Sequence, residues 1–334
     1  MQSLSLRVLR VLLIGALALA GAFAAGVIWY HAPAGKVVNA ILALAWFAFA
    51  VTCVIAYARR NDWRALAALA LPFAAILTWF ILIAPSNDRV WSPEMAQLLT
   101  YTRDGDTITV KNVRNFNWTG PDKADEKWET RTYALSNLKS VDVLSLYWKG
   151  PRIAHTYFSF VWANGEALSL SVEIRKEVDE TYSPVAGFFK AYELSILAGD
   201  ERDFYGWRIH FPKEDLQRFR TRANTQEAGK LLITLLDAAN DLAAKPEFYN
   251  TLTENCTTEV WMLTDALDLG KPLDWRMFAS GYLPDFLHDL KILDTTRPIA
   301  ELREHAHTMP AVRKAMADGV TGPAFSSAIR AGTP

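Results

Sequence analysis

The sequence predicts an α+β protein in which three N-terminal transmembrane helices precede an extracytoplasmic domain made of an antiparallel sheet and helices. Three observations lead to this fold class. The first 85 of the 334 residues contain three uncharged apolar runs, each of about 20 residues. Residues 98–175 contain several runs rich in aromatic and β-branched side chains, separated by turn signals, as strands are. Residues 227–269 repeat apolar side chains at helical spacing.

The three apolar runs predict a membrane anchor over residues 1–85. They are Val11–Tyr30, Val37–Ala58 and Ala65–Pro85. A helix of this length covers the roughly 30 Å of hydrocarbon in a bilayer. Arg7 and Arg10 before the first run would also suit a signal peptide, but two more runs follow closely, which favours an anchor.

The positive charges predict the orientation of the anchor, since cytoplasmic loops are enriched in Lys and Arg. Five of the six basic residues of the anchor precede the first run or lie between the second and third, namely Arg7, Arg10, Arg59, Arg60 and Arg64. Only Lys36 lies in the other loop. We therefore expect a multi-pass protein of the bacterial inner membrane, with a cytoplasmic N-terminus and everything after Pro85 in the periplasm.

Charge and cysteine content exclude two classes of protein. Residues 86–334 contain 29 basic and 35 acidic residues, so they have no basic excess with which to bind nucleic acid. Two cysteines are too few for a disulfide scaffold. The sequence contains no evident oligomerisation signal, and the oligomeric state stays open.

The first part of the extracytoplasmic domain, 86–150, is predicted to be rich in strands. Asp104-Gly105 is a turn signal between Leu98–Thr102 and Thr107–Val110. Further strands are predicted at Trp128–Tyr133 and Val141–Trp148, and a hairpin of His155–Trp162 and Ala167–Arg175 around the turn pair Asn164-Gly165.

Helices are predicted to follow this hairpin. Glu227–Ala244 and Thr257–Leu269 both have amphipathic spacing. We expect a core at 151–296 and a tail at 297–334 that consists of short helices packed on the surface.

Cys256 is the strongest candidate for chemistry. Cys53 lies inside the second apolar run, so the two cysteines cannot pair across the bilayer. Asn255 is a suitable N-cap, which puts Cys256 in the first turn of a helix. There the helix dipole favours the thiolate, and backbone N–H groups can hold an oxyanion. The alternative is a buried cysteine that acts as a small apolar side chain.

A nucleophilic thiolate needs a base, and His155 at the start of a predicted strand is the best-placed histidine. The others are predicted to be structural or solvated, and they are His31, His210, His288, His305 and His307. A cysteine at a helix start with a histidine on a hairpin strand is the layout of papain-like folds.

Several blocks of the sequence resemble the Lnb N-terminal periplasmic domain family. The blocks are Pro85–Trp91, Asn112–Phe116, Trp128–Arg131, His155–Phe160, Ser171–Glu177, Glu180–Ser183, Tyr192–Leu194, Asp200–Asp203 and Tyr249–Thr258. The resemblance covers roughly residues 86–270. It implies a circularly permuted papain-like (NlpC/P60-related) core, in which the histidine strand precedes the cysteine helix, and it carries the family's catalytic pair onto His155 and Cys256.

Glu173 is the candidate third catalytic residue, and its role depends on the hairpin loop. A two-residue turn would pair position 155 with 174 and point Glu173 to the other face, whereas a three-residue loop would bring Glu173 to His155. Substrate contacts are expected from Asn255, Thr257, Arg175, Lys176 and Tyr182. Arg175 and Lys176 have the charge to hold a lipid phosphate, although a charged strand end is the more frequent explanation of such residues. Asp200–Asp203 has the residue types of a metal site but is more typical of a solvated turn. HExxH and CxxC motifs are absent, so we predict no cofactor and no metal.

Three functions are compatible with these residues. The namesake of the family is a lipoprotein N-acyltransferase, so the resemblance implies that Cys256 takes an acyl chain from a membrane phospholipid as a thioester and passes it to the N-terminal amine of a lipoprotein. The same Cys–His pair would serve a periplasmic peptidase or amidase of the NlpC/P60-like type. The third hypothesis is a membrane-anchored binding domain without catalysis.

Overall fold

The computed structural model describes residues 4–251, 253, 256–270 and 272–331, without the side chains of residues 4, 6 and 256–259. The chain forms two compact units. One contains residues 1–85 together with 183–191, and the other contains residues 86–182 and 192–334.

The first unit contains three long apolar helices, α1 (Leu4–His31), α2 (Lys36–Arg60) and α3 (Trp63–Leu82). Each is long and apolar enough to cross a membrane, as the sequence predicted. The first two pack closely at Gly21, where the indole N–H of Trp46 donates to the carbonyl of Gly21 at 3.0 Å. α3 begins after Asp62, whose side chain accepts from the backbone N–H of Arg64.

The segment 183–191 belongs to this helical unit, which the sequence analysis did not predict. Its Phe189 ring stacks on Phe23 and on Tyr30, with centroids 5.4 and 5.3 Å apart. The Lys190 ammonium donates to the carbonyl of Phe80 near the end of α3 at 2.9 Å. Because such carbonyls lack partners within the helix, a lysine here satisfies part of the helix end.

In the second unit, eight of the strands described form one sheet, and β3 and β4 form a small separate pair. The strands are β1 (Thr100–Asp104), β2 (Thr107–Arg114), β3 (Asn117–Gly120), β4 (Lys123–Asp125), β5 (Trp128–Ala134), β6 (Leu138–Tyr147), β7 (Ala154–Trp162), β8 (Ala167–Arg175), β9 (Glu193–Gly199) and β10 (Asp215–Arg220). The order is β1-β2-β9-β8-β7-β6-β10, with β5 also paired to β2. All these pairs are antiparallel except β2 with β9.

The predicted hairpins are present, each with a turn that differs in detail. Asp104 pairs with Thr107, so the first turn consists of Gly105 and Asp106, one residue later than predicted. Gly105 has a φ of 58°, which glycine adopts without strain. In the second hairpin Val161 pairs with Ala167, and the backbone N–H of Trp162 donates to the carbonyl of Glu166. This register corresponds to the three-residue loop 163–165.

Two helices cover the first face of the sheet, the face that carries Phe158 and Phe160. They are α5 (Thr225–Ala244) and α6 (Cys256–Ala266), close to the two predicted helices. α5 begins at a capping box formed by Asn224 and Glu227. Buried Leu231, Leu235, Val260 and Leu263 complete this core.

The C-terminal segment is not a surface layer, which corrects the expectation for 297–334. α4 (Glu201–Trp207), α7 (Leu283–Asp289), α8 (Ile299–Ala306), α9 (Met309–Ala317) and α10 (Gly322–Arg330) complete the helices. Phe325 and Ile329 of α10 and Val312 of α9 are 0–1% exposed in a second core with Tyr157. The tail therefore closes the second face of the sheet, the face that carries Tyr157 and Ser159.

Candidate functional site

His155 and Glu173 meet at the end of the sheet. His155 Nε2 lies 2.9 Å from Glu173 Oε1, which is the contact expected if the hairpin loop has three residues. The three-residue loop explains it, because the register continued from Val161 and Ala167 puts position 155 opposite 173. The ladder between β7 and β8 extends only to Phe158 and Leu170, so the strands diverge beyond it and the two side chains span the opening.

Ser171 completes this cluster. It precedes Glu173 by two residues on the same strand face. Its hydroxyl donates to Glu173 Oε1 at 2.9 Å and lies 2.8 Å from His155 Nε2. A carboxylate only accepts hydrogen bonds, so Nε2 carries the hydrogen and Nδ1 is the basic nitrogen of the neutral ring.

The environment of Glu173 keeps its carboxylate ionised. Burial by itself would raise the pKa of Glu173, but the charge and hydrogen bond of His155, the charge of Arg208 and the hydrogen bond from Ser171 lower this pKa to about 2. The side chains of His155 and Glu173 are only 16% and 21% exposed. The ionised carboxylate therefore orients the imidazole and stabilises its protonated form.

The cluster opens into a cavity of about 300 Å³. Most of its lining is apolar or aromatic, with Met95, Leu146, Trp148, Val172, Ile174, Tyr182, Leu197, Phe204, Trp207 and Tyr249. The ionisable side chains of the lining are Glu94, Arg114, His155, Glu173, Lys176, Arg208 and Glu214. A mainly apolar cavity with a few convergent polar groups is typical of ligand sites.

Two charged pairs lie at the cavity. Lys176 Nζ lies 2.8 Å from Glu94 Oε1, and Arg208 Nη1 lies 3.5 Å from Glu214 Oε2. Burial tends to raise the pKa of Glu94, but the hydrogen bond and charge of Lys176 lower it overall. Burial raises the pKa of Glu214, and Arg208 offsets only part of this effect. The second contact is the longer of the two, and Arg208 Nε is a buried donor with no hydrogen-bond partner in the described structure.

Cys256 is the first residue of α6, as predicted, and α6 packs against β7 and β8, the strands of His155 and Glu173. The side chains of Cys256 and Thr257, and Asn255 as a whole, lie outside the described residues. The catalytic role of Cys256 and the substrate contacts assigned to Asn255 and Thr257 therefore stay predictions. Tyr249, seven residues before Cys256, lines the cavity.

The other predicted substrate contacts separate into two groups. Lys176 and Tyr182 line the cavity. Arg175 is not among the lining residues and is 2% exposed, with its guanidinium 4.1 Å from the Trp91 ring centre. It also donates to the carbonyls of Met95 and Ala96. These contacts indicate that Arg175 holds the segment before β1 in place rather than binding a phosphate.

Asp200–Asp203 is a buried structural element and not a solvated turn. Asp203 is 0% exposed, and its carboxylate accepts from the guanidinium of Arg114, the backbone N–H of Phe116 and the indole N–H of Trp118. Asp200 caps α4. Among the described residues there is no cluster of ligands that could hold a metal ion.

Sequence reasoning missed Ser171, Arg208 and Glu214. Ser171 could have been predicted from the sequence, because side chains two residues apart on a strand lie on the same face, and Ser171 precedes Glu173 by two residues. Arg208 and Glu214 lie on either side of the turn between α4 and β10, and no local pattern pointed to them.

The comparisons with known proteins identify one family. The model of the Lnb N-terminal periplasmic domain matches residues 124–281, a range that contains His155, Glu173 and Cys256. No curated protein and no solved structure matches the chain. With its three apolar helices, the chain is a membrane-associated protein with a periplasmic domain, and that domain belongs to the Lnb N-terminal periplasmic domain family.

Proposed function

We propose that the protein is a periplasmic cysteine acyltransferase that moves an acyl chain from a phospholipid to the N-terminal amine of a lipoprotein. The observation that carries the proposal is the His155–Glu173 pair at a mainly apolar cavity, on the strands against which the helix of Cys256 packs. The three N-terminal helices anchor the periplasmic domain to the membrane in which both substrates reside. This anchoring raises the effective concentration of the two substrates at the site.

In the proposed first half-reaction, Nδ1 of His155 takes the proton of the Cys256 thiol, and the thiolate attacks the carbonyl carbon of a phospholipid ester. The C–O bond breaks, the lysophospholipid oxygen leaves with the proton from His155, and the acyl group stays on sulfur as a thioester. The backbone N–H groups in the first turn of α6 would stabilise the oxyanion. Glu173 stabilises the imidazolium throughout, because its pKa of about 2 keeps it ionised.

In the second half-reaction, the free amine of the lipoprotein attacks the thioester carbonyl. The C–S bond breaks, an amide forms, and His155 transfers the proton released by the amine to the sulfur. The apolar lining, including Leu146, Trp148 and Leu197, suits an acyl chain, and Lys176 and Arg208 suit the donor phosphate.

The proposal includes a permuted papain-like core, in which the histidine strand precedes the cysteine helix. The chain has this order, with β7 and β8 before α6. Val260 and Leu263 of α6 lie on the first face of the sheet, whereas His155 points to the second. The first turn of α6 must therefore approach His155 where β7 and β8 diverge, a requirement that an acyl-enzyme structure would test directly.

The test follows a labelled acyl chain from phospholipid to a diacylated lipoprotein in membranes that contain the full chain. Cys256→Ser should lower the rate of acyl transfer by several orders of magnitude, because near neutral pH an alcohol is a much poorer nucleophile than a thiolate. Cys53→Ser, which changes the cysteine of α2, is the matched control and should keep full activity. Mass spectrometry should detect an acyl thioester on Cys256 in the wild type and in Cys53→Ser, and no thioester in Cys256→Ser.

The histidine is tested in the same assay. His155→Ala should be about as damaging as Cys256→Ser, and the double variant little worse, because the two residues act as a unit. His305→Ala, at an exposed histidine, is its control. Undiminished transfer by Cys256→Ser would refute the covalent route, and release of free fatty acid or cleaved peptide without amide product would favour the hydrolase.

A further inference from the structure

A second cavity, away from His155, combines basic side chains with hydroxyl groups. Its volume is about 430 Å³, and it lies between the start of β6, the end of β7, strand β10 and helix α10. We call it the cationic cavity. Its basic lining residues are Lys139, Arg218, Arg220 and Arg330.

The three arginines of the lining contact one carboxylate, that of Asp142, which is 0% exposed. Arg218 Nη1 and Arg330 Nε lie 3.1 and 3.0 Å from Asp142 Oδ2, and Arg220 Nε donates to Oδ1. Burial alone would raise the pKa of Asp142, but the three guanidinium groups lower it, so this carboxylate is ionised.

Each arginine of the cationic cavity has a carboxylate partner. Among the described residues, the carboxylates that contact these basic side chains are Asp142 and Glu201, the latter through Arg330. Asp142 is thus shared by three guanidinium groups. Partly buried charge of one sign is costly unless a counter-charge is bound nearby.

Three groups around the cavity can still bind a ligand. Arg220 uses Nε for Asp142, and within the described residues its two Nη atoms have no partner, while 36% of its side chain is exposed. The Lys139 ammonium likewise makes no ion pair with a described side chain. Ser140 is 6% exposed, yet its buried hydroxyl has no hydrogen-bond partner. A buried hydroxyl without a partner in the described structure is a donor still open to a ligand or to an ordered water.

We propose that the cationic cavity binds a phosphate group. Arg220 offers two parallel N–H donors that match two oxygens of a tetrahedral anion. Ser140 adds a neutral donor from the buried side, and Lys139 adds charge at the rim. The phosphate comes either from a free phosphate compound or from the headgroup of a phospholipid.

The site is tested by calorimetric titration of inorganic phosphate into the full chain in a phosphate-free maltoside detergent. Arg220→Gln should weaken binding by about tenfold or more, because it removes a charged, bidentate donor. Ser140→Ala should weaken it by about threefold to tenfold while leaving the melting temperature without phosphate unchanged or higher, since it deletes a buried unpaired hydroxyl. Arg222→Gln, two residues farther along and outside the lining, should bind like the wild type.

A second titration distinguishes the two sources of phosphate. If a phospholipid supplies the group, added phosphatidylglycerol micelles should displace inorganic phosphate from the wild type and not bind at this site in Arg220→Gln. If the ligand is a free phosphate compound, the micelles should leave phosphate binding unchanged. The proposal is overturned if phosphate does not bind saturably, if Arg220→Gln binds as tightly as the wild type, or if Arg222→Gln loses binding, which would place the anion in the neighbouring cavity lined by Arg222 and His305.

Discussion

His155 and Glu173 lie opposite each other because the loop between their strands contains three residues. Val161 pairs with Ala167, and this register carries 155 to 173. With one residue fewer in the loop, Glu173 would point to the other face of the sheet. The contact of 2.9 Å between Nε2 and Oε1 therefore follows from the geometry of residues 163–165, which begin eight residues after His155 and end eight residues before Glu173.

The charge of Glu173 is predicted to matter for turnover. Glu173→Gln keeps the size of the side chain but removes the charge that stabilises protonated His155. We expect acyl transfer to fall about 10- to 100-fold, with the pH profile shifted because the pKa of His155 is lower. Glu166→Gln, an exposed residue of the same hairpin, is the control. An unchanged pH profile would exclude Glu173 as the orienting group.

Ser171 is predicted to be a positioning residue. Ser171→Ala removes its hydrogen bonds to His155 and Glu173, each of which is worth about 0.5–1.5 kcal/mol. Activity should therefore drop about 2- to 10-fold, with the pH optimum displaced. Ser169→Ala is a close control, since Ser169 is buried on the same strand face and its hydroxyl has no partner in the described structure. Equal losses in both variants would indicate a packing effect only.

The lowered pKa of Glu173 predicts that the folded protein loses stability at acidic pH. Its pKa is about 2 in the folded protein, against about 4.3 for an ordinary glutamate. The stabilisation is therefore fully present above about pH 4.3 and is lost as the pH falls toward 2. The melting temperatures of the wild type and Glu173→Gln in detergent should differ at pH 6, and this difference should shrink steadily as the pH falls from about 4.3 toward 2. A constant difference across this range would contradict the assigned pKa.

Asp203 is predicted to be essential for stability. Asp203→Ala leaves the guanidinium of Arg114 buried without its counter-charge, since Arg114 is 2% exposed. We expect a loss of about 3–5 kcal/mol in the free energy of unfolding, measured by denaturant titration. Asp318→Ala, which breaks an exposed pair with Lys314, should have no measurable effect. Similar effects of the two variants would argue against the buried ion pair.

The orientation of the anchor is tested with reporter fusions. A reporter that is active only in the periplasm should work after Pro334 and fail at Asn61, because three arginines adjoin that loop. The proposed topology fails if the fusion at Asn61 is active.

The sequence by itself determined the three apolar helices, the two principal helices and the candidates His155, Glu173 and Cys256. It also predicted six strands of the described structure, but not β3, β4, β9 and β10. These features depend on local composition and on periods of two or 3.6 residues, which can be read along the chain. It also contained both possible roles of Glu173, but not the choice between them.

The tertiary structure decided what depends on long-range contacts. The hairpin register brought Glu173 to His155. Burial made Arg175 a structural residue instead of a phosphate ligand, and it made Asp203 a structural residue instead of part of a solvated turn. Arg208 and Glu214, from a turn far along the chain, line the cavity at His155. Arg220 and Ser140 line the cationic cavity together with α10, a helix that the sequence predicted to lie on the surface. Such groups come together only when the sheet closes, because their positions are set by strand pairing and core packing between residues far apart in the chain.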